Sequence, residues 1–150
     1  MGALGRRVDE IWEQRLEVAY HPPALFNVGA NTIFTIAGGP VVICALFAHT
    51  IQAMAAGSTF TITVAGAATD NGAAVVTSAI NTLIVSPLDN TAVQPIVPNI
   101  AVSGALAGGM MLLSVPGNIV LTVAIANTTG TMAWYCAYYR MHSASSIVAA

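Results

Sequence analysis

The plainest pattern in the chain is the alternation at Thr59–Val64, where Phe60, Ile62 and Val64 fall on one parity and Thr59, Thr61 and Thr63 on the other. A strict period of two describes a strand with one buried and one wet face. Asn118–Ala126 repeats it, with Ile119, Leu121, Val123 and Ile125 set against Val120, Thr122 and Ala124. Asn127-Thr128-Thr129-Gly130 supplies turn chemistry. Thr131–Tyr139 then places Met132, Trp134, Cys136 and Tyr138 on one face and Ala133, Tyr135, Ala137 and Tyr139 on the other. The two segments together predict a long C-terminal hairpin, with Trp134 buried.

From Ala24 onward the chain reads as a succession of strands near 25–28, 32–37, 40–51, 59–65, 73–85, 100–105, 109–115, 118–127 and 131–140. They are punctuated by Gly29, Gly38-Gly39, Gly57-Ser58, Asp70-Asn71-Gly72, Pro87, Pro95, Pro98, Gly108-Gly109 and Pro116-Gly117. Short strands between Gly and Pro signals predict a single antiparallel β-sandwich or barrel, jelly-roll-like in outline. Ser86–Pro98 has three prolines and little alternation, and is expected to be a long loop. Residues 73–85 also fit a helix period through Ala73, Val76, Ala79, Ile80 and Leu83, with strand the preferred reading. His142–Ala150 is expected to be a short flexible tail.

Only residues 5–19 predict a helix. Val8, Ile11, Trp12, Leu16 and Ala19 recur at three- and four-residue spacing, and Arg6, Asp9, Glu10, Glu13 and Glu17 turn elsewhere. His21-Pro22-Pro23 ends it by forcing extended backbone. The expected organisation is an N-terminal arm, residues 1–23, and a β domain, residues 24–150. The arm either caps the domain's own sheet or docks on a neighbouring subunit; in the second case Val8, Ile11, Trp12 and Leu16 are its partner contacts.

Charge sharpens the picture. Of ten charged residues only Asp70, Asp89 and Arg140 lie beyond Glu17, and lysine is absent. Charge is 7% of the chain against about 25% in ordinary domains, and the apolar fraction is 56%. A net charge of −2 with no basic cluster argues against a nucleic-acid partner, which needs several Lys or Arg on one face. Ile33–Ala56 runs 24 residues without a charge, but Gly38-Gly39-Pro40 would break a spanning helix. An outer-membrane barrel would alternate too, with charged lumen residues, aromatic girdles and an export signal that this chain does not show. The expectation is a soluble β domain with no membrane partner, synthesised in the cytoplasm. Cys44 and Cys136 stand in apolar runs and read as buried free thiols, with a disulfide left open.

A search for chemistry returns nothing. Asp70 and Asp89 each precede Asn in turn-like sequence, where Asx hydrogen bonds account for them. His21, His49 and His142 share no metal-ligand spacing. No serine sits in G-x-S-x-G, and Gly38-Gly39 and Gly108-Gly109 are not followed by Lys-Ser or Lys-Thr. No catalytic residue, metal, cofactor or small-molecule substrate is expected, and the chain is read as a non-enzyme.

One resemblance gives this a direction. The segments are Phe26-Asn27-Val28, Gly38-Gly39-Pro40-Val41-Val42-Ile43 with Leu46-Phe47, Gly117-Asn118-Ile119-Val120-Leu121-Thr122, and Thr129-Gly130-Thr131-Met132-Ala133-Trp134-Tyr135 leading into Tyr138-Tyr139-Arg140. In order and spacing they resemble small virion structural proteins of tailed bacteriophages, over roughly 26–51 and 117–140. The closing segment departs from the pattern where Tyr138-Tyr139-Arg140-Met141 lacks an expected proline. The resemblance implies a capsid decoration or cement protein on the virion surface. Its expected partners are its own copies, as a homotrimer, and the major capsid protein. A head fibre, spike base or tail component is the alternative, and a small membrane-embedded protein a more distant one.

Overall fold

The computed structural model describes residues 15–54, 58–68, 74–76, 79–86, 94–96, 112–124 and 129–150. Within them lie twelve strands and no helix: β1 (Glu17–Ala24), β2 (Gly29–Ala37), β3 (Val41–Gln52), β4 (Ser58–Val64), β5 (Ala67–Ala68), β6 (Ala74–Val76), β7 (Leu83–Ser86), β8 (Gln94–Ile96), β9 (Leu112–Ser114), β10 (Gly117–Val123), β11 (Thr131–Arg140) and β12 (Ser146–Ala149). They form two antiparallel sheets. The front sheet runs β1-β11-β3-β7-β8, with β9 beside β7 along β3; the back sheet runs β12-β2-β10-β4-β5, with β6 also on β4. The mainly β expectation holds.

The inner faces of both sheets meet in one hydrophobic core. The back sheet contributes Phe34, Ile36, Phe60, Ile62, Val64, Ile119, Leu121 and Val123, and the front sheet Val41, Ile43, Leu46, Met132, Trp134 and Cys136, all buried. The period-two faces read from the sequence at 59–64, 118–123 and 131–138 are the faces buried here. Trp134 is fully buried, opposite Ala48 on β3 and His21 on β1. A large ring facing a small methyl lets neighbouring strands fill one layer without a void. Bulges within the core strands adjust the alternation: Ile33 and Cys44 are among the residues skipped by the registers of β2 and β3 against their partners. Ile33 is thereby buried beside Phe34, and β3 keeps Ile43 and Leu46 on the same inner face although three positions separate them.

Several expectations are corrected. Residues 17–19, the end of the expected helix, begin β1 instead; Val18 and Tyr20 point outward while Ala19 and His21 are buried. Leu16 and Ala19 fit a helix period and, taken with their neighbours, a strand as well, and pairing with β11 decides. Strand β1 continues across Pro22-Pro23, so the expected division at residue 23 falls inside it. The prolines are accommodated because β1 is an edge strand with a register shift between His21 and Ala24. Residues 1–14 lie outside the described residues. Residues 25–28 connect β1 to β2 rather than forming a strand.

The predicted strand 73–85 is split into β6 and β7, with a turn at 80–81 where Asn81 takes a positive φ of 66°. That turn is tied to the end of β3, since Thr50 N–H donates to Thr82 O and Asn81 N–H donates to Thr50 O, each at 2.9 Å. The expected loop Ser86–Pro98 contains β8, paired with β7. Of the predicted strands 100–105 and 109–115, only β9 lies among described residues.

The predicted C-terminal hairpin does not form. β10 pairs with β2 and β4, whereas β11 pairs with β1 and β3 in the other sheet. A strand has two edges, and both edges of each were taken by partners distant in sequence. Nor is the C-terminus a tail: β12 pairs with β2 and buries Ile147.

Two connections pass between the sheets side by side, β2 to β3 through Gly38-Gly39-Pro40 and β11 to β12 through 141–145. Pro40 O accepts from Met141 N–H at 3.2 Å and from Ser145 Oγ at 2.9 Å. Gly38 has φ +74°, and a Cβ there would run into the Ala144 carbonyl. Gly38→Ala therefore meets both a left-handed backbone and a backbone obstacle, and we expect a loss of about 1–3 kcal/mol in chemical denaturation. Trp134→Ala removes the largest fully buried side chain and is expected to cost about 3–5 kcal/mol in the same measurement. A near-wild-type midpoint for either variant would contradict this account of the core and its crossing.

Candidate interaction surface

The outer faces of the two sheets differ in chemistry. On the back sheet, Thr32, Thr35, Asn118, Thr122, Thr61 and Thr63 face outward across β2, β10 and β4, with Thr35 Oγ1 donating to Asn118 Oδ1 at 3.3 Å. Hydroxyl and amide groups give most of that face to water, with Val120 between Thr32 and Thr63 and the exposed Val148 beside Thr35. On the front sheet the corresponding row is apolar. Tyr20, Tyr135, Phe47 and Val85 stand directly opposite one another on β1, β11, β3 and β7.

The rings of this row touch. Phe47 and Tyr135 stack with centroids 5.1 Å apart at 14°, and Tyr20 meets Tyr135 at 5.2 Å and 43°. Cross-strand aromatic pairs of this kind stiffen a sheet surface. Tyr20 is 49% exposed and Val18, in the next row, 60%. The adjoining rows add Ala137 and Ala45 on one side and His49 and Leu83 on the other. A shallow hollow of about 380 Å³ lies between Phe47, His49, Asn81, Leu83 and Tyr135. His49 Nε2 sits 3.2 Å from Asn81 Oδ1, so the histidine is satisfied at this rim by the turn before β7.

Among the described residues the charges are Arg15, just before β1, and a pair at one corner. Glu17, at the start of β1, forms an ion pair with Arg140 at the end of β11. Arg140 Nη2 donates to Glu17 Oε2 at 2.7 Å and the Tyr138 hydroxyl donates to the same oxygen at 2.8 Å. The Arg140 hydrogen bond holds the Glu17 carboxyl below its ordinary value of 4.5; burial opposes this, and the Tyr138 bond adds to it. Burial, foremost, and the carboxylate beside it raise the Tyr138 phenol. The cluster fixes the point at which the preceding chain leaves the sheet.

The two cysteines are unpaired and protonated. Cys44 and Cys136 are free thiols. Burial pushes Cys136 up to about 12 and raises Cys44 as well, so neither supplies a thiolate at neutral pH. Cys136 is buried as expected, whereas Cys44, at the bulge, is half-exposed. Among the described residues no group of His, Cys, Asp or Glu is placed to hold a metal ion, and no helix is long and apolar enough to cross a membrane. The apolar stretch from Ile33 to Met54 is the end of β2, the crossing and β3.

Of the residues expected to contact a partner, Val8, Ile11 and Trp12 lie outside the described residues. Leu16 stands exposed just before β1. The aromatic row was not foreseen as a surface. Its signal in the sequence is a strand with bulky residues at both parities: Met132, Trp134, Cys136 and Tyr138 fill the core, which leaves Tyr135 and Tyr139 outside. No family model matches the chain, and neither the curated proteins nor the solved structures show a match to it.

Because the folded Glu17 carboxyl lies below its unfolded value, the cluster's contribution is present above about pH 4.5 and is lost as pH falls through the folded value. Glu17→Gln should lower the urea midpoint slightly at pH 7 and give a flatter decline in acid than the wild type. Parallel acid limbs for the two proteins would show that the carboxylate is not stabilised in the fold.

Proposed function

We propose that this chain is a non-enzymatic structural protein of a bacteriophage virion, a capsid decoration or cement protein built as a small β-sandwich. It works by packing against protein: its own copies first, and the major capsid protein beneath them. The observation that carries this reading is the contrast between the outer faces, one solvated mainly by threonine and asparagine and the other formed by Val18, Tyr20, Phe47, Val85 and Tyr135, an aromatic row with no charge among them. Interface centres are enriched in aromatic residues and depleted of charge. A chain with 7% charge suits a molecule that spends its life within a large assembly. The segments around Gly38-Gly39-Pro40 and Gly130–Arg140, whose order and spacing resemble small virion structural proteins of tailed bacteriophages, support a virion as that assembly.

The reading is tested on the particles themselves. Virions purified from the phage that encodes the chain should contain it in a stoichiometric ratio to the major capsid protein. Heads assembled without it should release their genome at a lower temperature than complete heads. Virions that lack the chain, or heads equally heat-resistant with and without it, would overturn the proposal.

A further inference from the structure

The front face needs an occupant, and the chain itself supplies one of fitting chemistry. Residues 1–14 carry Val8, Ile11 and Trp12 together with five of the ten charges: Arg6, Arg7, Asp9, Glu10 and Glu13. Laid on the outer face of a front sheet, this segment would set its apolar side chains on the aromatic row and turn its charges to water. One apolar surface would be covered, and the face would gain the charge it lacks.

Geometry decides whose sheet is covered. The described chain starts at Arg15, and Glu17 is pinned to Arg140 and Tyr138 at the end of β11. The row of Tyr20 lies three residues farther along β1, about 10 Å inward at the rise of a strand. To reach its own row the segment would have to reverse direction close to Arg15. Glu10 to Tyr20 contains no Gly, Pro, Asn, Asp or Ser, the residues that make tight reversals. The direct course continues β1 beyond the end of its sheet. Fourteen residues span about 21 Å as a helix and more if extended, whereas β1 and β3 are only about 10 Å apart. The segment has the reach to cross the rows of an adjacent molecule.

We propose that residues 1–14 of one copy lie across the outer face of the front sheet of a neighbouring copy, with Ile11 and Trp12 set against Tyr20, Tyr135 and Phe47. The contact is heterologous, an arm on a face, and closes into a ring when the rotation between copies permits. It deepens the assembly reading by naming the partner of the front face, yet it is read from purified protein without any particle.

The test uses two full-length variants. Ile11→Asp with Trp12→Asp spoils the arm and leaves every described residue unchanged. Tyr20→Lys spoils the face at an exposed position. The near-ultraviolet circular dichroism of buried Trp134 reports that each variant is folded. Wild-type protein should sediment as an oligomer at micromolar concentration. Each variant alone should be monomeric, with association weakened about tenfold or more, as loss of a central aromatic contact does. Mixed one to one, the variants should recover a heterodimer, because the intact arm of the face variant finds the intact face of the arm variant.

A wild-type monomer would overturn the proposal. If Trp12 were nevertheless shielded from quencher in that monomer, the arm lies on its own sheet. Folded variants that remain oligomeric would place the contact elsewhere, and so would a mixture that stays monomeric. Should a variant not fold, Phe47→Ser replaces Tyr20→Lys and Trp12→Ala replaces the double substitution, with the same outcomes read. Absence of the chain from virions would leave this result standing and refute only the virion role; a wild-type monomer found in virions would do the reverse.

Discussion

The Pro40 carbonyl accepts hydrogen bonds from Met141 and Ser145, and around that oxygen the two chain crossings between the sheets are fastened together. Much else in the fold depends on this junction. It allows β2 and β3, neighbours in sequence, to lie in different sheets, and it returns the chain after β11 to the back sheet as β12. Backbone groups at a turn away from a sheet have no ladder partner, and a buried unpaired carbonyl is costly. Here each crossing satisfies the other. Gly38 is required because the neighbouring crossing passes where a side chain would begin.

Once the crossings are set, the core follows from alternation, with bulges correcting its phase. Ile33 and Cys44 each stand as an extra residue, and each shifts the parity by one so that a long strand keeps the same face buried on both sides of the bulge. The same corrections determine what is left outside. Because Met132, Trp134, Cys136 and Tyr138 point inward, Tyr135 points outward, and the registers of β1 and β3 bring Tyr20 and Phe47 beside it. The aromatic surface is therefore a product of register, assembled from three strands distant in the chain.

At the corner of that surface, Glu17, Tyr138 and Arg140 tie the edge strand to its neighbour. Edge strands are the weak margins of open sheets and invite pairing with other chains. On β1 the edge is interrupted by Pro22-Pro23 and anchored by the ion pair, which makes it a poor template for pairing with a further strand. Fold and proposed role meet here: the back sheet is solvated, the edge is blunted, and the front face is left for protein.

The sequence by itself determined the parity of the buried positions, the glycine and proline breaks, and the absence of a dense charged surface. Those are local properties, since alternation and turn chemistry are written within a few residues. It determined Trp134 as core and 131–140 as a strand with the bounds observed. Pairing lay beyond its reach. Asn118–Ala126 and Thr131–Tyr139 alternate in the same way whether they form a hairpin or face each other from two sheets. Residues 17–19 satisfy a helix period until β11 supplies hydrogen-bond partners along their edge. Ile147 reads as part of a tail until β2 offers it a place in the core. The row of Tyr20, Tyr135 and Phe47 joins residues 115 and 88 positions apart, and only the tertiary structure could bring them together, because long-range strand registers are set by the packing of the whole core and not by the residues that display them.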